Sequence, residues 1–393
     1  MNFHFCFKKR SHLLVILLLC DAAQLLPAAK AATAVATFGL NDVSILLPLP
    51  VPQEISALLS PQDAGGRGIL IPKEIYARFP ALDNRFDAQS LYVNNFKVIG
   101  IRLDPCFAEG TSTTCRRQVR LVWQPLIEVS GRTTTLDAAI HAFYEFSETE
   151  WSTVLRNWQS FAQGNLAESL QVNPQINREG FSGHGWMTLK QIILASCGAK
   201  NLVRVTGMRV SAARMWSFLG FDRTDAGWTQ MNIPRTNSTL QSFILFSDSM
   251  LDLSEFQGTL SPPPSGENLF LELITNSKDF KRRRTESDVK LVMQKAIQME
   301  NPKLHNPGTV DCVSCHMAQT VSLWGQQNFP AWNWQNAFAR ERYASPLNLK
   351  NNSLHPSNAN RVRAFGYFEA EPIFSQRVIN ETAEVSTRLS KSL

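Results

Sequence analysis

The chain has 393 residues, 44% of them hydrophobic and 10% aromatic, and its 39 basic and 33 acidic residues give a formal net charge of +6. So many large apolar side chains can fill a sizeable core, which excludes an intrinsically disordered protein. The weak basic excess gives no support for nucleic-acid binding.

The N-terminus has the pattern of a secretory signal peptide. The basic residues 8–10 precede the apolar run Leu13–Leu19, and Ala29–Ala31 is a small-x-small cleavage site. The apolar run is shorter than the roughly 20 residues that a membrane-spanning helix needs. We therefore expect an exported, periplasmic protein whose mature chain has no transmembrane span. A lipid anchor at Cys20 is not expected, because Leu19 stands where a small residue usually precedes a lipidated cysteine.

Removal of residues 1–31 also removes much of the positive charge. This segment contains four basic residues and one acidic residue, so the mature chain carries a net charge of +3. The one dense basic run that remains is 281–284, which we interpret as a solvated loop before a helix rather than as a docking patch.

The predicted elements follow in chain order. We expect β-structure at 38–51, 91–105, 117–129, 200–210, 214–222 and 240–248, where β-branched and aromatic residues are frequent, and the second and third of these runs suggest a hairpin-like pair. We expect helices at 136–146, 147–158, 186–198, 285–297, 312–323, 332–343 and 375–390, from apolar residues at helical spacing and from capping residues. Ser147 and Glu150 form a capping box, and we expect Asp311 to cap the helix at 312–323.

These patterns predict an α+β fold, with a β-rich N-terminal region that includes helices and a mainly helical C-terminal region. The Pro- and Ser-rich residues 261–268 are the best linker. We therefore expect a signal peptide at 1–31, a β-rich α+β domain at 32–262 and a helical domain at 263–393.

The strongest motif is Cys312-Val-Ser-Cys315-His316 at the predicted start of a helix. Two thiols at this spacing can reach the two vinyl groups of a haem, and the adjacent imidazole can bind its iron. Residues 311–318 resemble the haem-binding segment of c-type cytochromes. The resemblance implies one covalent haem c, with Cys312 and Cys315 as its thioether attachments and His316 as the proximal iron ligand. Because the chain contains one such motif, a multihaem protein and a two-haem peroxidase are not expected.

Two other interpretations of the cysteine pair remain open. A redox-active disulfide is one, although no βαβ unit surrounds the motif. A structural zinc site is the other, although no second cysteine pair follows at a finger-like distance.

The sixth iron ligand is the least certain element of the site. We expect His355, in a polar loop after the motif, or His305, seven residues before Cys312. Met317 is tied to the proximal side, and the buried face of a helix accounts for Met293. His141 and His184 are interpreted as an ordinary helix histidine and an ordinary loop histidine.

The remaining cysteines suit an oxidising compartment. Cys106 and Cys115 stand in the loop between two predicted strands, so we expect a disulfide between them. Cys197 is expected to be a buried, unpaired thiol.

Three functions compete. The first is an exported monohaem protein that transfers single electrons and requires a redox partner protein. The second is a haem enzyme such as a peroxide-type reductase, which needs an open iron position and an acid–base residue near it. The third is a secreted binding or structural protein with a Cys312–Cys315 disulfide.

Overall fold

The computed structural model describes residues 37–80, 86–107, 115–212, 215–245, 253–257, 268–353 and 362–392. The predicted signal peptide and Cys20 lie outside these residues. The N-terminal half of the chain is mostly β-structure and the C-terminal half contains more helix, so the predicted α+β fold is confirmed. Among the described helices, none is both long and apolar enough to cross a membrane.

The strands are β1 (Ser44–Leu46), β2 (Ala64–Gly65), β3 (Gly68–Ile69), β4 (Phe96–Phe107), β5 (Arg116–Val129), β6 (Arg132–Thr135), β7 (Ala139–Phe146), β8 (Leu202–Ala212), β9 (Met215–Thr224), β10 (Gly227–Gln230), β11 (Gln241–Leu245), β12 (Leu253–Gln257), β13 (Phe365–Phe368) and β14 (Glu371–Phe374). The α-helices are α1 (Leu40–Val43), α2 (Lys73–Tyr76), α3 (Ala88–Ser90), α4 (Glu148–Gln159), α5 (Pro174–Glu179), α6 (His184–Ser196), α7 (Leu269–Thr275), α8 (Ser277–Arg283), α9 (Glu286–Met299), α10 (Cys312–Asn328), α11 (Trp334–Ala337) and α12 (Gln376–Ser392). A 3₁₀ segment covers Pro52–Ala57, and a π-helical turn covers Leu91–Asn95.

One large antiparallel sheet organises the molecule. Within the described residues it contains ten strands, in the order β1-β4-β5-β7-β8-β9-β11-β12, with β6 beside β5 and β10 beside β9. Strands β4 and β5 pair from Phe96 opposite Pro125 to Phe107 opposite Arg116, which confirms the predicted hairpin-like pair. The short hairpins β2–β3 and β13–β14 stand apart from this sheet.

The segment predicted as a helix at 136–146 is instead strand β7, so this prediction was wrong. Strand β7 lies between β5 and β8 and pairs antiparallel with both. Ile140, Ala142 and Tyr144 alternate along it and are fully buried. Two neighbouring strands supply its hydrogen bonds, and this tertiary pairing overrides the helical spacing of the apolar residues.

One face of the sheet packs against α4 and α6 and the N-terminal segments. Trp158, from α4, donates its indole N–H to the carbonyl of Asp42 at 2.8 Å and is fully buried. The predicted capping box at the start of α4 is present, with Glu150 N donating to Ser147 Oγ at 3.4 Å and Ser147 N donating to a Glu150 oxygen at 2.8 Å.

The other face of the sheet is covered as well. Alternation along β5 predicts that Gln118, Arg120 and Gln124 face solvent, but Gln118 is 3% exposed and Gln124 is fully buried. Gln124 donates to the carbonyls of Leu136 and Tyr367. The C-terminal part of the chain folds over this face, so β5 is buried on both sides.

The predicted boundary at residue 262 does not separate two compact units. Ala36–Leu393 forms one unit. Helices α7, α9 and α10 form a second core with Met208, Trp216 and Phe218 of the sheet, whereas α12 joins the first core. Ser44 of β1 and Thr382 of α12 share a hydrogen bond of 2.7 Å. Since the last helix returns to the first strand, the helical part is not an independent domain.

The remaining helix predictions are mostly confirmed. Helices α4, α6, α9, α10 and α12 lie within a few residues of their predicted positions. The segment 332–343 contains only the short helix α11, and most of the predicted linker 261–268 lies outside the described residues.

A buried acid makes stability depend on pH. Glu300, at the end of α9, is 7% exposed, and burial raises its pKa to about 7 although Arg342 opposes the shift. Between pH 4.5 and 7 the folded chain keeps a proton that the unfolded chain releases. The free energy of unfolding should therefore fall across this window as pH rises, by at most about 1.4 kcal/mol per pH unit for this group.

We expect Glu300→Gln to remove this part of the pH dependence. Urea unfolding of the wild type and the variant at several pH values between 4.5 and 7.5 would measure it, with the exposed Glu54→Gln as the control. Equal pH dependence in the wild type and in Glu300→Gln would contradict the assignment.

Candidate cofactor-binding site

The motif lies at the N-terminus of α10, which is anchored to the sheet. Asp311 is the N-cap and is fully buried, and its Oδ1 accepts hydrogen bonds from Ser314 N and from Gln241 Nε2, both at 2.9 Å. Gln241, on β11, in turn accepts from Val313 N at 3.2 Å. Two otherwise unpaired N–H groups of the first turn thus bond to one cap and one strand residue. The predicted capping role of Asp311 is confirmed.

The first turn of α10 presents the three motif side chains on one side. Cys312, Cys315 and His316 are spaced i, i+3 and i+4, which places them on one face of a helix. Val313 and Met317 point elsewhere and are fully buried in the second core. The apolar positions therefore determine the rotation of the helix, and this rotation directs the motif residues to one side.

That side of the helix faces a cavity between α10 and the second face of the sheet. All three motif residues line it. Its apolar wall is formed by Phe107, Ala139, Phe143, Met208, Phe218, Leu219, Met231, Val310 and Phe365. Its polar wall contains His141 and five arginines, Arg102, Arg120, Arg204, Arg363 and Arg377.

The ring of His316 is held in one tautomer. Its Nδ1 is hydrogen-bonded to the carbonyl oxygen of Val362, and because a carbonyl can only accept, Nδ1 carries the proton. Burial lowers the pKa of His316 to about 4, so the ring is neutral at pH 7. Nε2 then keeps a free lone pair. This is the usual arrangement of a metal-binding histidine, whose other nitrogen donates to a carbonyl or carboxylate. The ring also contacts Phe218, with centroids 4.7 Å apart.

The two thiols are free and protonated. Neither Cys312 nor Cys315 forms a disulfide. Burial raises the pKa of both, that of Cys315 to about 11, and the neighbouring Asp311 adds to the increase for Cys312. The structure therefore presents two reduced sulfurs to the cavity.

His141 lies on the sheet side of the same cavity, on strand β7 rather than on a helix. It pairs with Val122 of β5 and Thr206 of β8, and its neighbours on the same face, Ala139 and Phe143, also line the cavity. Burial lowers its pKa well below the ordinary value, with smaller contributions from the positive charges of Arg120 and of other nearby groups. The ring is therefore neutral at pH 7.

Four of the five arginines have acidic partners. Arg102 and Arg377 both contact Glu381 of α12, at 3.1 and 2.5 Å. Burial acts to raise the pKa of Glu381, but Arg377, Arg102 and Arg120 outweigh it and lower that pKa to about 2. The other two form pairs across the fold, Arg204 with Asp222 at 2.5 Å and Arg363 with Asp137 at 2.6 Å.

Arg120 is the exception. No described residue forms an ion pair or hydrogen bond with its guanidinium, and its Nε is buried without a partner. It lies over the ring of Phe143, 4.5 Å from the centroid. Burial lowers its pKa to about 10 although Glu381 and Asp104 oppose the shift, which leaves it charged at pH 7. A buried donor atom without a hydrogen-bond partner costs about 1–3 kcal/mol, so the Nε of Arg120 is suited to a carboxylate from a bound molecule.

Among the described residues, no three His, Cys, Asp or Glu side chains are arranged to hold a bare metal ion. A covalent haem has different requirements from a bare metal ion. It needs two thiols, one imidazole and an apolar surface, and its propionates need cationic partners. The cavity supplies each of these. Its volume is about 190 Å³, below the ~300–1,000 Å³ of preformed ligand pockets. A haem would therefore require flexible wall side chains such as Met208 and Met231 to move apart.

Of the two predicted distal histidines, only His305 is among the described residues. His305 does not line this cavity; its Nδ1 lies 3.3 Å from Thr309 Oγ1 and its carbonyl accepts from Arg377. His355 lies outside the described residues. Met293, Met299 and Met317 are buried in the second core.

Cys106, Cys115, Cys197 and His184 are also among the described residues. Cys106 and Cys115 form the predicted disulfide. Cys197 is a fully buried free thiol, as expected. His184, predicted as a loop histidine, is instead the first residue of α6 and is exposed.

Sequence reasoning missed His141 and the arginines of the sheet as members of the site. The available signal was the run Ala139–Phe146, whose alternating residues also fit a strand. In that interpretation His141 shares a face with Phe143. The side chains that Arg102 and Arg120 would meet could not be inferred, since those neighbours come from residues 306–316 and 363–381.

We expect the Asp311 cap to be essential for the geometry of the first turn. Asp311→Ala should lower the free energy of unfolding by about 1–2 kcal/mol, because Ser314 N and Gln241 Nε2 both lose an acceptor. Asp311→Asn keeps an oxygen acceptor and should cost less, and Thr285→Ala, at the exposed cap of α9, is the matched control. Denaturant unfolding would measure all three variants. The interpretation fails if Asp311→Ala is no more destabilising than Thr285→Ala.

The chain has no match among known proteins: no family model, no curated protein and no solved structure is similar to it.

Proposed function

We propose that the chain is an exported protein that binds one covalent c-type haem and transfers single electrons. One observation carries the proposal: Cys312, Cys315 and His316 line one cavity, and His316 is already held with Nε2 free.

Attachment would use the free thiols. Cys312 and Cys315 would hold the haem by thioether bonds, each thiol adding its sulfur and its hydrogen across one vinyl group, so that no atom would be lost and no oxidant would be needed. Because the thiols of Cys312 and Cys315 are already reduced, the motif is ready for this addition.

The remaining residues of the cavity would orient the group. His316 would bind the iron from the helix side, and its bond to Val362 would keep the ring from rotating. Arg120 would meet a propionate carboxylate, which would satisfy its unpaired guanidinium. When bound, the haem supplies a one-electron redox couple whose potential depends on its axial ligands and burial. A single redox centre must exchange its electron with another molecule, so a redox partner protein is part of the proposal.

Export is proposed from two supporting features. The N-terminal residues have the pattern of a signal peptide. The Cys106–Cys115 disulfide suits an oxidising compartment such as the periplasm.

A peroxide-type reductase is the second candidate, and one observation favours it. His141 and Arg120 line the same cavity, and an imidazole with a guanidinium can move a proton and stabilise developing negative charge. The third function, in which a Cys312–Cys315 disulfide serves a binding protein, gains no support from the free thiols.

The test is covalent attachment. The full chain, made in a bacterial host that attaches c-type haem to exported proteins, should stain for haem after denaturing electrophoresis. Cys312→Ala/Cys315→Ala should lose this stain at least tenfold, because no thioether can form. Cys197→Ala removes the buried lone thiol and should stain like the wild type. An unstained wild type, or a double variant that stains equally, would refute the proposal.

A further inference from the structure

His141 faces the cavity from a rigid part of the fold. It occupies the middle of β7, with β5 on one side and β8 on the other. Its backbone position is therefore determined by two ladders of hydrogen bonds. His316 faces the same cavity from α10, so the two imidazoles belong to separate elements, one a sheet and one a helix.

The ring of His141 has no structural partner. No described residue forms a hydrogen bond with either of its nitrogens. Besides burial, the groups that act on it are Arg120, His316, Arg102 and Arg363, and the three guanidiniums cannot accept a proton from an imidazole. His141 is only partly buried, and its ring nitrogens are not among the fully buried atoms without a partner, so they open onto the cavity that the side chain lines. A ligand bound in the cavity would provide a partner for them.

The other cavity residues that could bind iron are explained by packing. Met208 is 6% exposed and belongs to the second core, and Met231 is 7% exposed with its Cε against Gly220. Thioethers in an apolar wall are satisfied by these contacts alone, whereas an imidazole in the same wall is not.

We propose that His141 is the sixth iron ligand of the haem, on the side away from His316. The inference rests on the proposed function and replaces the sequence prediction of His355 or His305 in that role. It makes the site a bis-histidine centre with one ligand from the sheet and one from the helix. Such a centre is six-coordinate and low-spin, which suits electron transfer and leaves no open position for peroxide.

The experiment uses the full haem-loaded chain and separates attachment from ligation. Haem stain on a denaturing gel reports attachment alone. Absorption and EPR spectra of the ferric protein report the spin state, and near-infrared magnetic circular dichroism distinguishes a His/His from a His/Met pair. The wild type should be low-spin with a His/His signature.

His141→Ala should keep its stain, become high-spin, and return to low spin when imidazole is added. His305→Ala is the matched control and should leave the wild-type spectrum unchanged, and Met208→Leu and Met231→Leu should keep the low-spin His/His signature because neither thioether binds the iron. His141→Met offers a thioether at the same position and should give a low-spin His/Met signature if the alanine variant does not fold.

The outcomes discriminate clearly. A wild type that stains but is high-spin or has a His/Met signature overturns the His141 assignment and leaves the haem proposal intact. A low-spin His141→Ala, or a change of spin state in His305→Ala, overturns it as well. Absence of stain in the wild type is a failure of the proposed function instead.

Discussion

The second face of the central sheet carries charged side chains into the interior, and the elements that cover this face have to satisfy those charges. Burial of a charge is tolerated only with a partner. Arg102 forms an ion pair with Glu381, in the second turn of α12. Asp137 forms an ion pair with Arg363, which lies just before β13. The C-terminal third of the chain is thereby tied to strands that precede it by more than 200 residues. This constraint makes the fold one unit.

The same constraint places the C-x-x-C-H motif. Apolar residues determine which face of helix α10 is buried, and Gln241 of β11 also bonds both to its cap and to its first-turn amide. These two bonds fix the position of the first turn of α10 relative to the sheet. A site held by a helix and a strand is more accurately positioned than one held by loops. The thiols and His316 gain this accuracy although the chain before them, 300–311, contains turns.

The cavity is lined by neutral imidazoles and by charged arginine side chains. Burial keeps the imidazoles of His141 and His316 neutral, as metal binding requires. Arg120 remains charged in the same low-dielectric space and has no ion-pair partner among the described residues. The cavity therefore combines neutral nitrogen donors, free thiols and a cation in need of an anion.

Much of this could be predicted from the sequence, because the signals were local. Ser147 and Thr285 at capping boxes, the helix at Cys312, the paired strands β4 and β5 and the Cys106–Cys115 bond all depend on residues close together in the chain. Local periodicity failed at Ala139–Phe146, where the apolar spacing fits a helix and a strand equally and pairing with β5 and β8 decides.

Only the tertiary structure brought His141 to the cavity and excluded His305 from its lining. The polar face of β5 illustrates the reason: alternation shows that Arg120 and Leu121 lie on opposite sides, but not that both sides are covered. Whether both sides are covered depends on residues more than 180 positions later in the chain, and a short-range sequence pattern contains no information about where those residues pack. The sequence by itself thus determined the motif and its helix, and the tertiary structure decided what the motif faces.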